Sequence, residues 1–402
     1  MNNITGLGGL SRPPVFLHAG FRSSSTWFWT KFRALPEALA YNEYFNEILG
    51  GLTESLARAH DTKSWRSGHP STAPYFLEFI PLIEPNGGVR HYRDEMALAR
   101  YMPVGGVGAD LSAEECRYVA GLIALADQQG KVAVLSENRT LGRLPSLKRA
   151  FGGVHIFLYR DLLQQWHSFA NQHLELNEYF LATTIFIIVN NNGDKFLEFV
   201  YSYMTSGGSE NPHDWIREKY YDFLFVSFCA FHLYLSMHAY QAADLTVSVN
   251  AIASCADLRA ATEREIHAAS GLEVDLSDVV VADRQPRYPL RDPRAMLAHV
   301  AILFEQAAVC PGLLPPAVEF GRRMLRNLRA ACLGPQGTDG AVSPADLDAF
   351  YTDLSYHYPE RIEYAERLSE IRAVRGDLDG ARKVSGQVDR LRHVARTSSL
   401  IS

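Results

Sequence analysis

Cysteine is scarce and scattered. The five in 402 residues, Cys116, Cys229, Cys255, Cys310 and Cys332, show no CxxC or CxH spacing, which excludes a zinc ribbon and a disulfide framework and leaves buried free thiols. Positive charge is also in deficit. Thirty-nine Lys and Arg against 45 Asp and Glu give a formal net charge of −6, so no global basic field recruits nucleic acid, and any anion site must be local. The opening MNNITGLGGLSRPP lacks a basic stretch followed by an apolar one. A secretory signal is therefore not expected, and the cytoplasm is the expected location. Long uninterrupted apolar runs are missing too. The longest, Asp222 to Tyr240, is flanked or broken by Asp222, His232 and His238, and polar groups in hydrocarbon are costly, so it reads as a buried core helix and not a membrane span.

What is present is enough for a large core: 47% of the residues are hydrophobic, sufficient for one large domain or two moderate ones. Val15 to His18 form an apolar strand that ends in a glycine and hydroxyl turn, followed by the helix-like TWFWTKFRALPEAL. KVAVLSEN (Lys131 to Asn138) and VHIFLYRD (Val154 to Asp161) repeat the strand pattern around a helix, LPSLKRAF, closed by Gly152 and Gly153. Apolar strands alternating with helices predict an α/β fold of three layers around a parallel sheet.

The predicted organisation is an α/β domain over 1–291 and a helical subdomain over 292–402. A Pro-rich and Gly-rich insertion or substrate loop spans about 63–108. Within the tail, Tyr364 to Val394 resembles one tetratricopeptide hairpin. A single unit cannot bury its own face and no second copy follows, so it serves for packing, with a protein contact as its other use.

A strand that ends in a loop opening a helix presents free backbone N–H groups and the positive end of the helix dipole, a cradle for phosphate or sulfate. Here Ser23, Ser24, Ser25 and Thr26 add donors and Arg22 adds a planar charged fork. The pattern GxxxxGK[ST] is absent, because Gly20 is followed by no Gly-Lys pair, which disfavours ordinary ATP or GTP hydrolysis.

Arg22-Ser23-Ser24-Ser25-Thr26-Trp27 resembles the 5′-phosphosulfate loop, [KR]-[ST]-G-[ST]-[ST], of sulfotransferases that use 3′-phosphoadenosine 5′-phosphosulfate (PAPS), with Ser24 where that family has glycine. YRDLLQQWHS puts Arg160 at a strand end and Ser168 eight residues on, similar to the family's 3′-phosphate motif R-D-P-x5-S with Leu162 in place of proline. In YNEYF, Glu43 lies twenty-one residues after Arg22, about where carboxylate-base members, carbohydrate and tyrosylprotein sulfotransferases among them, carry their general base. The resemblance implies a P-loop-like domain that binds PAPS and releases adenosine 3′,5′-bisphosphate (PAP) without a metal. Arg22, Ser23, Ser24, Ser25, Thr26, Trp27, Arg160 and Ser168 would hold the cofactor, and Glu43 and Arg22 would act in catalysis. The acceptor would be a small molecule or glycan bearing a hydroxyl.

Other assignments stand beside these. Glu43 could be a surface carboxylate, although Tyr41, Tyr44 and Phe45 around it favour a half-buried place. Arg139, just after the Lys131–Ser136 strand run, could be a second cation at the sulfonate, or equally a surface or acceptor-binding arginine. Rival histidine bases are His18, His167, His69 and His91, each read as structural. A nucleotide-dependent kinase or phosphotransferase on the same layout is the alternative enzyme, and a non-catalytic anion-binding protein is the alternative outside enzymes.

Overall fold

The computed structural model describes residues 11–59, 74–174, 177–191, 193–207, 221–281, 290–333 and 362–398, with 348, 352 and 355. Five short strands, β1 (Val15–Ala19), β2 (Ala38–Asn42), β3 (Val132–Glu137), β4 (Val154–Tyr159) and β5 (Leu245–Ser248), pair in the order β2-β3-β1-β4-β5, all parallel. The three inner strands are β3, β1 and β4. Both alternating sets of β1 are buried, Val15 and Leu17 as well as Phe16 and His18, so helices cover both faces, as expected for continuous apolar parallel strands.

The helices are α1 (Ser25–Arg33), α2 (Glu54–Ala59), α3 (Ala113–Gln128), α4 (Leu144–Phe151), α5 (Leu162–Leu174), α6 (Tyr179–Asn190), α7 (Lys195–Gly207), α8 (Tyr221–Ala242), α9 (Val249–Ser254), α10 (Ala256–Ser270), α11 (Pro293–Ala308), α12 (Pro315–Leu333), α13 (Ile362–Val374) and α14 (Leu378–Ser398). Helix α3 starts with a capping box between Ser112 and Glu115, which satisfies two of the orphan N–H groups of its first turn. Helix α1 packs on β1, β2 and β3, and Trp29 Nε1 donates to Ala40 O at 2.9 Å. In register, Phe16 lies level with Leu135 and His155, and Leu135 with Tyr41, so these side chains share one face. Helices α3 and α4 meet that face, with Tyr41 donating to Leu122 O and Phe151 tilted against Phe16.

The two edge strands, β2 and β5, do not stand out in the sequence. Strand β2 is ALAYN, with alanine at two of its five positions, and β5 has four residues of which only Val247 is buried. Edge strands carry little of the β-branched, fully apolar signal because much of their stability comes from the one neighbour they pair with.

Helix α8 is long and apolar enough to cross a membrane by composition, but 89% of the apolar window is buried within the protein. It packs on α4, α5, α7, α11, α12 and β4, which agrees with a core helix. The helices after 292 continue that core: Leu303 and Phe304 of α11 are buried, and Phe320 of α12 meets Phe157, Tyr159 and Tyr240. Helices α13 and α14 form the hairpin seen in the sequence, turning at Gly376 with φ 83° and burying Leu368, Ile371, Val384 and Val388.

Of the stretch read as an insertion, residues 60–73 lie outside the described residues, and 74–108 form short 3-10 turns, Leu77–Leu82 and Asp94–Met96. This part packs tightly, with Tyr75, Phe76, Phe79 and Met96 buried and Phe79 against Tyr41. The cysteines carry free thiols, but only Cys229 is buried and the other four are half-buried.

Candidate active site

Strand β1 leads to β2 at one edge of the sheet and β4 leads to β5 at the other, so connections leave in opposite directions around the carboxyl end of β1, where α/β sheets form their binding crevice. Four segments end there: Gly20–Ser24 after β1, Glu43 after β2, Asn138–Thr140 after β3 and Arg160 after β4. The sequence candidates Arg22, Ser23, Ser24, Ser25, Thr26, Glu43, Arg139 and Arg160 thus share one sheet edge.

The turn after β1 is tight. Ser23 Oγ donates to Gly20 O at 2.6 Å, and Gln165 Nε2 of α5 donates to Phe21 O at 2.6 Å. Arg22 and Ser24 adopt left-handed backbone, φ 64° and 69°. Ser24 is the N-cap residue of α1, yet its hydroxyl makes no capping bond; the left-handed geometry here normally selects glycine. Ser25 and Thr26 are buried in the first helical turn, and Tyr75 OH reaches Thr26 Oγ1 at 3.4 Å. Trp27 donates from Nε1 to Asp278 Oδ1, in the segment after α10, at 2.9 Å.

Arg22 bridges two of the sequence motifs: its Nε donates to Ser168 Oγ on α5 at 2.8 Å, and its guanidinium lies 5.0 Å from the Phe180 ring centre. Arg160, Gln165, Ser168, Asn171 and Gln172 are all buried, an unusual density of polar groups for one short helix and the strand end before it.

Glu43 follows β2 in left-handed backbone, φ 46°, with its N–H donating to Ser136 O and its C=O accepting from Asn46 N, both at 2.8 Å. Among the described residues four non-glycines have positive φ, and three of them are Arg22, Ser24 and Glu43; strain of this kind concentrates at functional sites. The Glu43 carboxylate is 9% exposed. Its Oε2 accepts from Asn46 Nδ2 at 2.6 Å and from Arg139 at 3.1 Å, and its Oε1 has only a long contact, 3.4 Å, from Asn138 Nδ2.

Arg139 is buried at the centre of three carboxylates. It also bonds Glu137 Oε1 at 3.0 Å, Glu47 Oε2 at 3.1 Å and Tyr179 OH at 2.7 Å, and its guanidinium lies 5.1 Å from the Phe21 ring centre. Burial opposes its charge, but Tyr179, Glu137, Glu43 and Glu47 outweigh this and hold it well above the ordinary arginine value. Burial pushes the Glu137 carboxyl up despite Arg139 and the Phe45 N–H it accepts. Burial pushes Glu47 the same way, but Arg139 and Tyr179 overcome it and leave Glu47 lowered. Tyr179, which donates to Glu47 at 2.7 Å, is raised, chiefly by burial.

Glu47, Glu137 and Tyr179 carry no sequence signal for this role. Glu137 is the last residue of β3, between Ser136 and Asn138, and Tyr179 lies 40 residues beyond Arg139 on a helix, α6, that contains no charged residue; only the fold brings them together. His18 is fully buried and bonded to Thr140 and His155, His91 is exposed with φ 64°, His167 is buried on α5, and His69 lies outside the described residues. Compared with known protein families, with curated proteins and with solved structures, the chain matches none.

Proposed function

We propose that this protein is a PAPS-dependent sulfotransferase built on a P-loop-like domain, with a hydroxyl compound, a carbohydrate or another, as acceptor. The observation that carries this reading is the 2.8 Å bond from Arg22 to Ser168, because it joins the segment assigned to the 5′-phosphosulfate to the segment assigned to the 3′-phosphate, far apart in sequence. The donor set fits a dense polyanion: two arginines, the hydroxyls of Ser24, Ser25 and Thr26, and the first-turn amides of α1, with the Ser23 hydroxyl spent on Gly20 O and bracing the turn. PAPS supplies an activated sulfuryl group.

In this reading Arg22 and the turn orient the phosphosulfate and stabilise charge that grows on the leaving phosphate, while Arg160 and Ser168 hold the 3′-phosphate. Glu43 takes the proton of the acceptor hydroxyl as the acceptor oxygen bonds to sulfur. The bond from sulfur to the 5′-phosphate oxygen breaks, and PAP leaves with that electron pair.

The test is binding followed by transfer. PAP raises the melting temperature, by about 2.7 kcal/mol of stabilisation at a hundred times its Kd, and AMP, without the 3′-phosphate, does so far less. Labelled PAPS then passes its sulfuryl group to one of a panel of sugars, phenols and peptides, whereas labelled ATP passes no phosphoryl group. Equal shifts with PAP and AMP remove Arg160 and Ser168 from the site; transfer from ATP makes the protein a phosphotransferase.

A further inference from the structure

Arg139 stands at the same sheet edge as Arg22 and Arg160, which invites its assignment to the cofactor, but both of its terminal nitrogens are already used, and the one remaining N–H, on Nε, is buried without a hydrogen-bond partner among the described residues. Each terminal guanidinium nitrogen carries two hydrogens. One nitrogen serves Glu43 and Glu137, and the other serves Glu47 and Tyr179. The side chain is 1% exposed, and the Phe21 ring lies over the guanidinium.

We infer that Arg139 is a positioning residue for Glu43: it ties down Oε2 and leaves Oε1 as the oxygen that takes the acceptor's proton. This rests on Glu43 being the general base. Oε2 has two donors, Arg139 and Asn46, whereas Oε1 has one contact at 3.4 Å, so only Oε1 has capacity for a new short hydrogen bond. Arg139 is the only cation bonded to Glu43 among the described residues. The other titratable groups around it are Glu47, Glu137 and Tyr179, which it bonds, and Tyr92 and Tyr101, which feel its charge.

The experiment follows the reaction and the side chain. In Arg139→Gln kcat falls at least tenfold while the Kd for PAP stays within about twofold, because the base is no longer held with Oε1 toward the acceptor. Because three carboxylates lose their cation, Arg139→Gln can fail to fold, and Arg139→Lys is measured alongside. It keeps the charge but has three N–H groups for four acceptors, so kcat falls, by less than in Arg139→Gln, with PAP affinity unchanged. Added to E43Q, which has no base to position, Arg139→Lys costs no further rate. A more than tenfold loss of PAP affinity in either variant overturns the inference and makes Arg139 a cofactor cation, and a further tenfold fall in kcat when Arg139→Lys is added to E43Q overturns it as well. If the wild type neither binds PAP nor transfers sulfuryl groups, the proposed function falls by that result alone, and the Glu43 rotamer in a crystal structure of the Arg139→Lys variant still decides whether Arg139 positions this carboxylate.

Discussion

His18 of β1 and His155 of β4 share a hydrogen bond, 3.0 Å between Nε2 of the first and Nδ1 of the second, beneath the sheet edge that carries the candidate site. The protons can be assigned from the partners. Gly152 O only accepts, so His155 Nε2, 2.9 Å away, holds the hydrogen and its Nδ1 accepts from His18. His18 Nδ1 in turn accepts from Thr140 Oγ1 at 2.8 Å. Both rings are neutral in this pattern and stacked with Phe16, and a further proton on the pair would leave a cation in a buried site.

Stability should therefore fall in mild acid. Burial lowers His18 well below the ordinary range and brings His155, His232 and His238 each to about 4. The unfolded chain then takes protons first, near pH 6.5, so the stability these rings contribute is complete above that pH and is lost as pH falls toward about 4. By pH 5 the loss is roughly 2 kcal/mol for each such ring. Glu137, raised by burial, works in the opposite direction and offsets part of it. Urea unfolding between pH 7.5 and 5 measures the net slope; a flat profile contradicts buried neutral histidines.

The Arg22–Ser168 bond is open to a double-mutant cycle. Arg22→Ala and Ser168→Ala should couple by about 0.5–3 kcal/mol in the unfolding free energy of the unliganded protein, and each alone should weaken PAP binding. Additive effects on stability would mean that the two side chains do not hold each other in solution.

Ser24→Gly should leave stability unchanged or raise it by up to about 1 kcal/mol. It removes the cost of a left-handed serine, about 1–2 kcal/mol, against the greater freedom glycine has in the unfolded chain. Ser24→Val, β-branched and ill-suited to φ 69°, should lower the melting temperature and weaken PAP binding. Calorimetry of the two variants gives the order; a stabilised valine variant would contradict the left-handed cap.

Glu43→Gln retains the shape of the side chain but cannot accept a proton at neutral pH. The expected result is a fall in kcat of about 10²–10⁴-fold with PAP affinity nearly unchanged. His91→Ala, at an exposed position, should keep its turnover. Full activity in Glu43→Gln would return Glu43 to a structural role.

The inner strands were legible because burial on both faces leaves a near-continuous apolar run, and β1, β3 and β4 each hold three or four consecutive apolar residues. Strands β2 and β5 were not, since edge position and short length erase that signal. Glu43 could be placed by its distance from Arg22 along the chain, yet nothing singles out Glu137 among the polar residues where β3 ends, or Tyr179, which arrives from another helix. A carboxylate cluster around one arginine is assembled by topology, and the sequence records its members only one at a time.

Helix α8 also has a bearing on how the chain is made. Its apolar surface is covered in large part by α11 and α12, which begin at residue 293, some fifty residues after α8 ends. During synthesis α8 therefore leaves the ribosome well before the helices that shield it. In that interval it is the kind of segment that holding chaperones bind and that aggregates when they are scarce. The covering pair thus protects the finished chain and not the newborn one, and a premature stop before α11 would leave this longest apolar helix without its shelter.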